Sequence, residues 1–182
     1  MKKTILTFGL ISGVISSLMM VTTMLFFNQI GYDRGLVVGY TAIVLSFLLV
    51  YFGIRSYRDN VGNGQISFTK GFGVGIGITL ISCVFYVVCW EVLYYNFLPG
   101  FWDHFGAHAV EKLRASGAGD AAIAKQLQQV KEYKEMYANP FLNAAMTFIE
   151  PFPVGLVITV ISAAILRKNP QAQSAQSPVA AA

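Results

Sequence analysis

Two carboxylates in this chain sit where carboxylates are costly. Glu150 interrupts the apolar run from Pro140 to Leu166, and Glu91 lies near the end of the run that begins at Thr69. An ionised carboxylate inside a membrane span costs on the order of 2–3 kcal/mol or more unless it faces water or a partner. Either residue is therefore a candidate for handling protons or cations. Pro151 and Pro153 follow Glu150 and remove the backbone bonds that would reach the carbonyls of Thr147 and Ile149. The spacing predicts a broken or kinked helix with free carbonyls beside a carboxylate, a combination found at transporter sites. The plainer alternative is a helix that restarts at Pro151 with Glu150 as its cap. Glu91 falls 21 residues after Lys70, about 32 Å along a straight helix. That puts it at a membrane interface beside Trp90, Tyr94 and Tyr95, which read as an aromatic belt.

His104, His108 and Glu111 share one helical face at i, i+4 and i+7, a spacing at which imidazole and carboxylate can hold zinc. The segment is His-Phe-Gly-Ala-His. It lacks the glutamate of the metalloprotease motif and has no second ligand cluster, so these are weak candidates beside solvated loop histidines. No cofactor is expected. Glycine offers packing rather than catalysis. Gly9, Gly13 and Ser17 recur every four residues, and Gly71, Gly73, Gly75 and Gly77 form two overlapping pairs. Small residues at that interval let helices approach closely in lipid, within one chain or between copies. The glycines match neither a dinucleotide fingerprint nor a phosphate loop. Cys83 and Cys89 are six residues apart in one apolar run. On a helix they are separated by about 9 Å of rise and roughly 120° of rotation, so they read as buried thiols and not a disulfide.

The elements that position these residues follow from composition. The 182 residues are 55% hydrophobic and 12% charged, with a mean hydropathy of +0.56. Soluble domains carry about twice that charge, so this chain cannot coat a water-soluble surface. Four apolar runs predict spans at about 5–27, 36–54, 70–95 and 141–166, joined by a long outer loop over 96–139. Together they make a membrane domain over 1–168, followed by a small, polar tail over 169–182 that reads as disordered. The first run is longer than the 7–15 residues of a signal peptide's apolar region and reads as a retained span.

Charge sets the expected orientation. One side carries Lys2, Lys3, Arg55, Arg58, Lys70, Arg167 and Lys168 against Asp59, and the other carries six basic and six acidic residues. Basic residues near span ends mark the cytoplasmic side, so both termini are expected inside. The basic residues are scattered in ones and twos, which argues against nucleic acid as a partner. In the outer loop, Phe101, Phe105, Ala109 and Leu113 suit one helix. Ile123, Leu127, Val130, Tyr133 and Tyr137 make the stripe of a second, with Asp120 as its N-cap. These form an amphipathic hairpin over the bundle's outer mouth, unless the loop is a plain solvated connector.

The stretch Ile66-Ser67-Phe68-Thr69-Lys70-Gly71-Phe72 leads into a glycine-rich third span. A long charged loop and Phe152-Pro153-Val154-Gly155-Leu156 follow, before Arg167-Lys168. This order resembles a family of small four-span bacterial membrane proteins known only as a domain of unknown function. The resemblance covers roughly residues 1–168 and implies four helices in the bacterial cytoplasmic membrane; it carries no activity, substrate or cofactor. The expected fold is thus all-α, a polytopic membrane protein with four transmembrane helices and an extracytoplasmic helical hairpin between spans three and four. The leading functional expectation is a non-enzymatic component that meets the lipid bilayer and packs with itself or another membrane protein. The rival is a small transporter or ion-coupled component using Glu150 and Glu91.

Overall fold

Apolar runs this long leave the backbone one economical solution, because only a helix bonds its own N–H and C=O groups within a single segment in lipid. The computed structural model describes residues 1–26 and 32–168. Seven helices account for nearly all of them: α1 Lys2–Leu25, α2 Tyr32–Asn60, α3 Phe68–Phe97, α4 Phe101–Ala115, α5 Asp120–Ala138, α6 Pro140–Ile149 and α7 Phe152–Leu166. Stretches within α1, α2, α3 and the α6–α7 pair are long and apolar enough to cross a membrane. The chain is a multi-pass membrane protein with four spanning helices. The expected tail over 169–182, and the end of the first predicted span at residue 27, lie outside the described residues.

Local chemistry places the boundaries. The Ser67 hydroxyl caps α3 by accepting from the Lys70 amide at 3.4 Å. The Asn139 side chain caps α6 by accepting from the Phe141 amide at 3.0 Å, with Pro140 in the first turn, where its missing N–H costs nothing. The helix of α2 continues past residue 54 to Asn60. Its last turns leave the apolar run but keep their helical bonds, and an Arg55–Asp59 pair at 3.6 Å lies along them. Asp120 is not the cap of α5. Gly119 takes that position, and Asp120 sits in the first turn, where its charge faces the positive end of the helix dipole.

The spanning helices form a ring in which α1, α3, α7 and α2 follow one another, with α2 and α3 also touching across the middle. Helix α1 runs parallel to α3 in a fixed register. Ile5 meets Gly77, Gly9 meets Ile81, Gly13 meets Phe85, and Ser17 meets Cys89. Each pair is 72 residues apart. The end where both helices start also holds the end of α7, since the Lys168 amide bonds the Ile66 carbonyl at 3.0 Å. We call this the terminal end, and the opposite one the hairpin end.

The core runs along α2 through Ile43, Phe47, Val50 and Ile54, meeting Val74, Ile78 and Cys83 of α3 and Leu166 of α7. Buried hydroxyls find partners across helices. Ser12 donates to the Ser46 carbonyl at 3.0 Å, and Thr79 and Thr159 share a bond of 3.1 Å. Leu18, Val37, Leu45, Leu80, Val84 and Ile161 face outward, as lipid-covered positions do.

A candidate ligand cavity beneath the hairpin

Helices α4 and α5 pack on each other through Gly106, Val110 and Val130. A Cβ on Gly106 would stand 2.9 Å from Val130. The buried face of α4, Gly106 and Val110, is one residue on from the expected stripe of Phe105 and Ala109. That shift frees the aromatic side chains of α4 to point at the bundle. Phe101 meets Trp90 of α3 edge-on at 5.4 Å. Trp102 stacks on Tyr133 of α5 at 5.2 Å and 8° and meets Tyr137 at 4.9 Å. Lys134 clamps the pair from outside through both oxygens of Asp103, at 2.6 and 2.8 Å. Both groups are well exposed, so the clamp adds little stability.

Under this roof lies a cavity of about 490 Å³. Its walls come from the hairpin-end turns of α1 (Ser16, Met20, Thr23) and α2 (Gly39, Tyr40, Ile43). They are completed by Tyr86 and Trp90 of α3 and by Met146, Thr147 and Glu150 of the fourth span. Eight of the lining side chains are aromatic. Among the described lining residues Glu150 is the only carboxylate, and none is Lys, Arg or His. Glu150 keeps much of its surface accessible, and its Oε2 accepts a hydrogen bond from the Tyr86 hydroxyl at 3.3 Å. Burial pushes the Tyr137 hydroxyl above its ordinary range, and the Glu150 charge pushes it the same way, so the phenol stays neutral and able to donate.

The cavity wall at Trp90 and Thr147 is braced by an amide from behind. Asn143 is fully buried, and its Oδ1 accepts from Trp90 Nε1 at 2.9 Å and from the Thr147 hydroxyl at 3.2 Å. Indole can only donate, so the amide orientation is set by chemistry. Its Nδ2 is left without a hydrogen-bond partner.

The residues singled out from the sequence separate here. Glu150 comes together with the hairpin aromatics Phe101, Phe105, Tyr133 and Tyr137, whereas Glu91 does not line the cavity. The fourth span does break between Ile149 and Phe152. The backbone of Glu150 and Pro151 nevertheless stays right-handed helical, so the break interrupts the bond ladder without a sharp turn. Pro151 is buried there, and Pro153 is exposed. Helix α7 receives no side-chain cap, which removes the capping role for Glu150. Trp90 is buried inside the bundle and not in an outward belt, because its indole is drawn in by Asn143. Among the described residues no three His, Cys, Asp or Glu side chains gather to hold a metal ion. His104, His108 and Glu111 are not gathered into such a group.

The glycines divide between neighbours. Gly9 and Gly13 receive Ile81 and Phe85, Gly77 receives Ile5, and Gly75 is enclosed by Thr159, Ile54 and Val50. Gly71 lies in ordinary contact with Ala163, and Gly73 has open space where its side chain would be. Two partners of the cavity chemistry, Asn143 and Tyr86, were not evident from sequence. A lone amide in an apolar run was a readable signal for Asn143. Nothing local marked Tyr86, whose carboxylate partner is 64 residues away.

Four spanning helices closed at one end by side-chain packing, and roofed at the other by a helical hairpin over an aromatic cavity, define a small polytopic membrane protein with an internal cavity. Over residues 7–168 the chain matches the model of a protein of unknown function, DUF4199, and it belongs to that family. No curated protein and no solved structure matches the chain significantly.

Proposed function

We propose that this protein is a non-enzymatic ligand-binding component of a bacterial cytoplasmic membrane, taking a small molecule into the cavity from the extracytoplasmic side. The observation that carries this reading is the placement of Glu150, a carboxylate in an apolar span whose accessible surface opens into a cavity. A volume of about 490 Å³ is within the 300–1,000 Å³ usual for small-molecule sites. The described lining has no nucleophile paired with a base, which supports binding over chemistry. The basic residues at the terminal end support a cytoplasmic placement of both termini, with the hairpin outside. A transporter reading draws support from the interrupted ladder beside Glu150. Toward the terminal end, however, the bundle is filled by Phe47, Val50, Ile54, Val74 and Ile78, which favours a site open at one side.

The test is labelling of single cysteines in a Cys83→Ala, Cys89→Ala background. A side chain at Gly39 would meet nothing within 4 Å, so Gly39→Cys places a thiol in the cavity without crowding. A membrane-impermeant maleimide, applied to cells with a permeabilised outer membrane, should label Gly39→Cys and Ser116→Cys but not Gln65→Cys. Labelling of Ser116→Cys without Gly39→Cys would mean the cavity is closed to solutes and would end the ligand reading. Labelling of Gln65→Cys alone would invert the orientation.

A further inference from the structure

We infer that the cavity is selective for a lipophilic organic cation, a positive centre shielded by apolar groups as in quaternary ammonium or phosphonium ions. The inference rests on the ligand-site reading above and names the ligand class. Charge comes first. Among the described lining residues Glu150 is the only carboxylate and none is basic. Its one described polar contact is the neutral Tyr86 hydroxyl at 3.3 Å. The site therefore holds a carboxyl group for which the described lining supplies no countercharge. The walls make the same choice. Aromatic faces carry negative potential and attract cations, most strongly when desolvated, and aromatic cages are a common way to hold quaternary ammonium groups. The parallel Trp102–Tyr133 pair and the perpendicular Trp90–Phe101 pair are such surfaces.

The same walls exclude the alternatives. An anion would meet a carboxylate and negative ring faces. Calcium requires six to eight oxygen ligands and magnesium near-ideal octahedral oxygen geometry, whereas methionine and aromatic side chains make up most of this lining. A sugar or other polyol would leave many of its hydroxyls unpaired against these rings.

The chain has two tryptophans, and both line the cavity, so intrinsic fluorescence reports on the site directly. The probes are tetraphenylphosphonium and tetraphenylborate, ions of like shape and opposite charge. The full-length protein, purified in uncharged detergent, is titrated with each. Tetraphenylphosphonium should change the fluorescence saturably and bind at least about tenfold more tightly than tetraphenylborate. Glu150→Gln should weaken tetraphenylphosphonium by about tenfold, a loss of about 1.4 kcal/mol, and Glu150→Asp should retain most of the affinity. Equal binding of the two ions would overturn the cation assignment and leave the ligand-site reading standing. So would silence to both ions in a protein whose Gly39→Cys variant is labelled, whereas failure of that labelling removes the site itself. If Glu150→Gln does not fold, the comparison of the two ions on the unaltered protein decides alone.

Discussion

The two ends of this bundle use different side chains for different purposes. At the terminal end, glycines and hydroxyls let helices touch; a Cβ on Gly75 would come within 2.7 Å of Thr159 and 2.9 Å of Ile54. At the hairpin end, large aromatics hold the helices apart around a space, and Gly39 has no neighbour where a side chain would go. Gly75 thus marks a contact in one half and Gly39 a vacancy in the other. Lipid offers no hydrophobic reward for bringing helices together, so the closed half must hold the four spans in place while the open half leaves some of its contact surface unused.

The sharpest way to break this contrast is one substitution made in both halves. Gly75→Leu should destabilise the protein by about 3 kcal/mol, the upper part of the usual range for overpacking. Gly39→Leu should change stability by no more than about 0.5 kcal/mol, the range of substitutions away from packed features, yet fill the cavity and weaken tetraphenylphosphonium. Unfolding in a denaturing detergent series measures the first, and fluorescence titration the second. Equal destabilisation would erase the distinction between the halves.

Trp90→Phe should have an intermediate effect. It removes the indole bond to Asn143 and leaves that buried oxygen with Thr147 alone, at a cost of roughly 1–2 kcal/mol. Its removal should also halve the number of fluorophores that report ligand. A variant as stable as the unaltered chain would mean that the Asn143 amide does not brace the site. The smallest effect belongs to the closed half. Thr79→Val deletes one interhelical hydroxyl bond, for which about 0.6 kcal/mol is typical in membrane bundles. A loss of several kcal/mol would show that hydroxyls, and not close glycine contacts, dominate that half.

Spans were legible because lipid imposes a length and a composition that a sequence displays without folding. The glycine spacing of α1 was legible for the same reason, since four-residue periodicity is a property of one helix. The hairpin was partly legible. Its helices showed their periodicity, but the phase of α4 was set by Gly106 packing on Val130, a contact between two helices that single-helix periodicity does not contain. Cap positions depend on backbone angles at one residue, which is how Gly119 displaced Asp120. Glu150 was conspicuous as a charge in an apolar run. Its role was not, because choosing between a cap and a cavity group required knowing that Tyr86 and the α4–α5 roof converge on it.

The fixed register of α1 against α3 has a consequence for slippage. Slide α1 by one turn in one sense and Ile5 faces Ile81, two branched side chains in a space built for one. Slide it the other way and Ile5 faces Gly73 and Gly13 faces Ile81, both of which have room, while Gly9 faces Gly77 and leaves a void. Ser17 then faces Phe85, whose Cβ would stand 2.7 Å from a Cβ at Gly13, so the serine side chain collides there. Misregistry in the first sense is met by collision near the terminal end, and in the second by collision nearer the hairpin end together with the dispersion contacts missing from one gap. The seam behaves as a ratchet with a stop at each end.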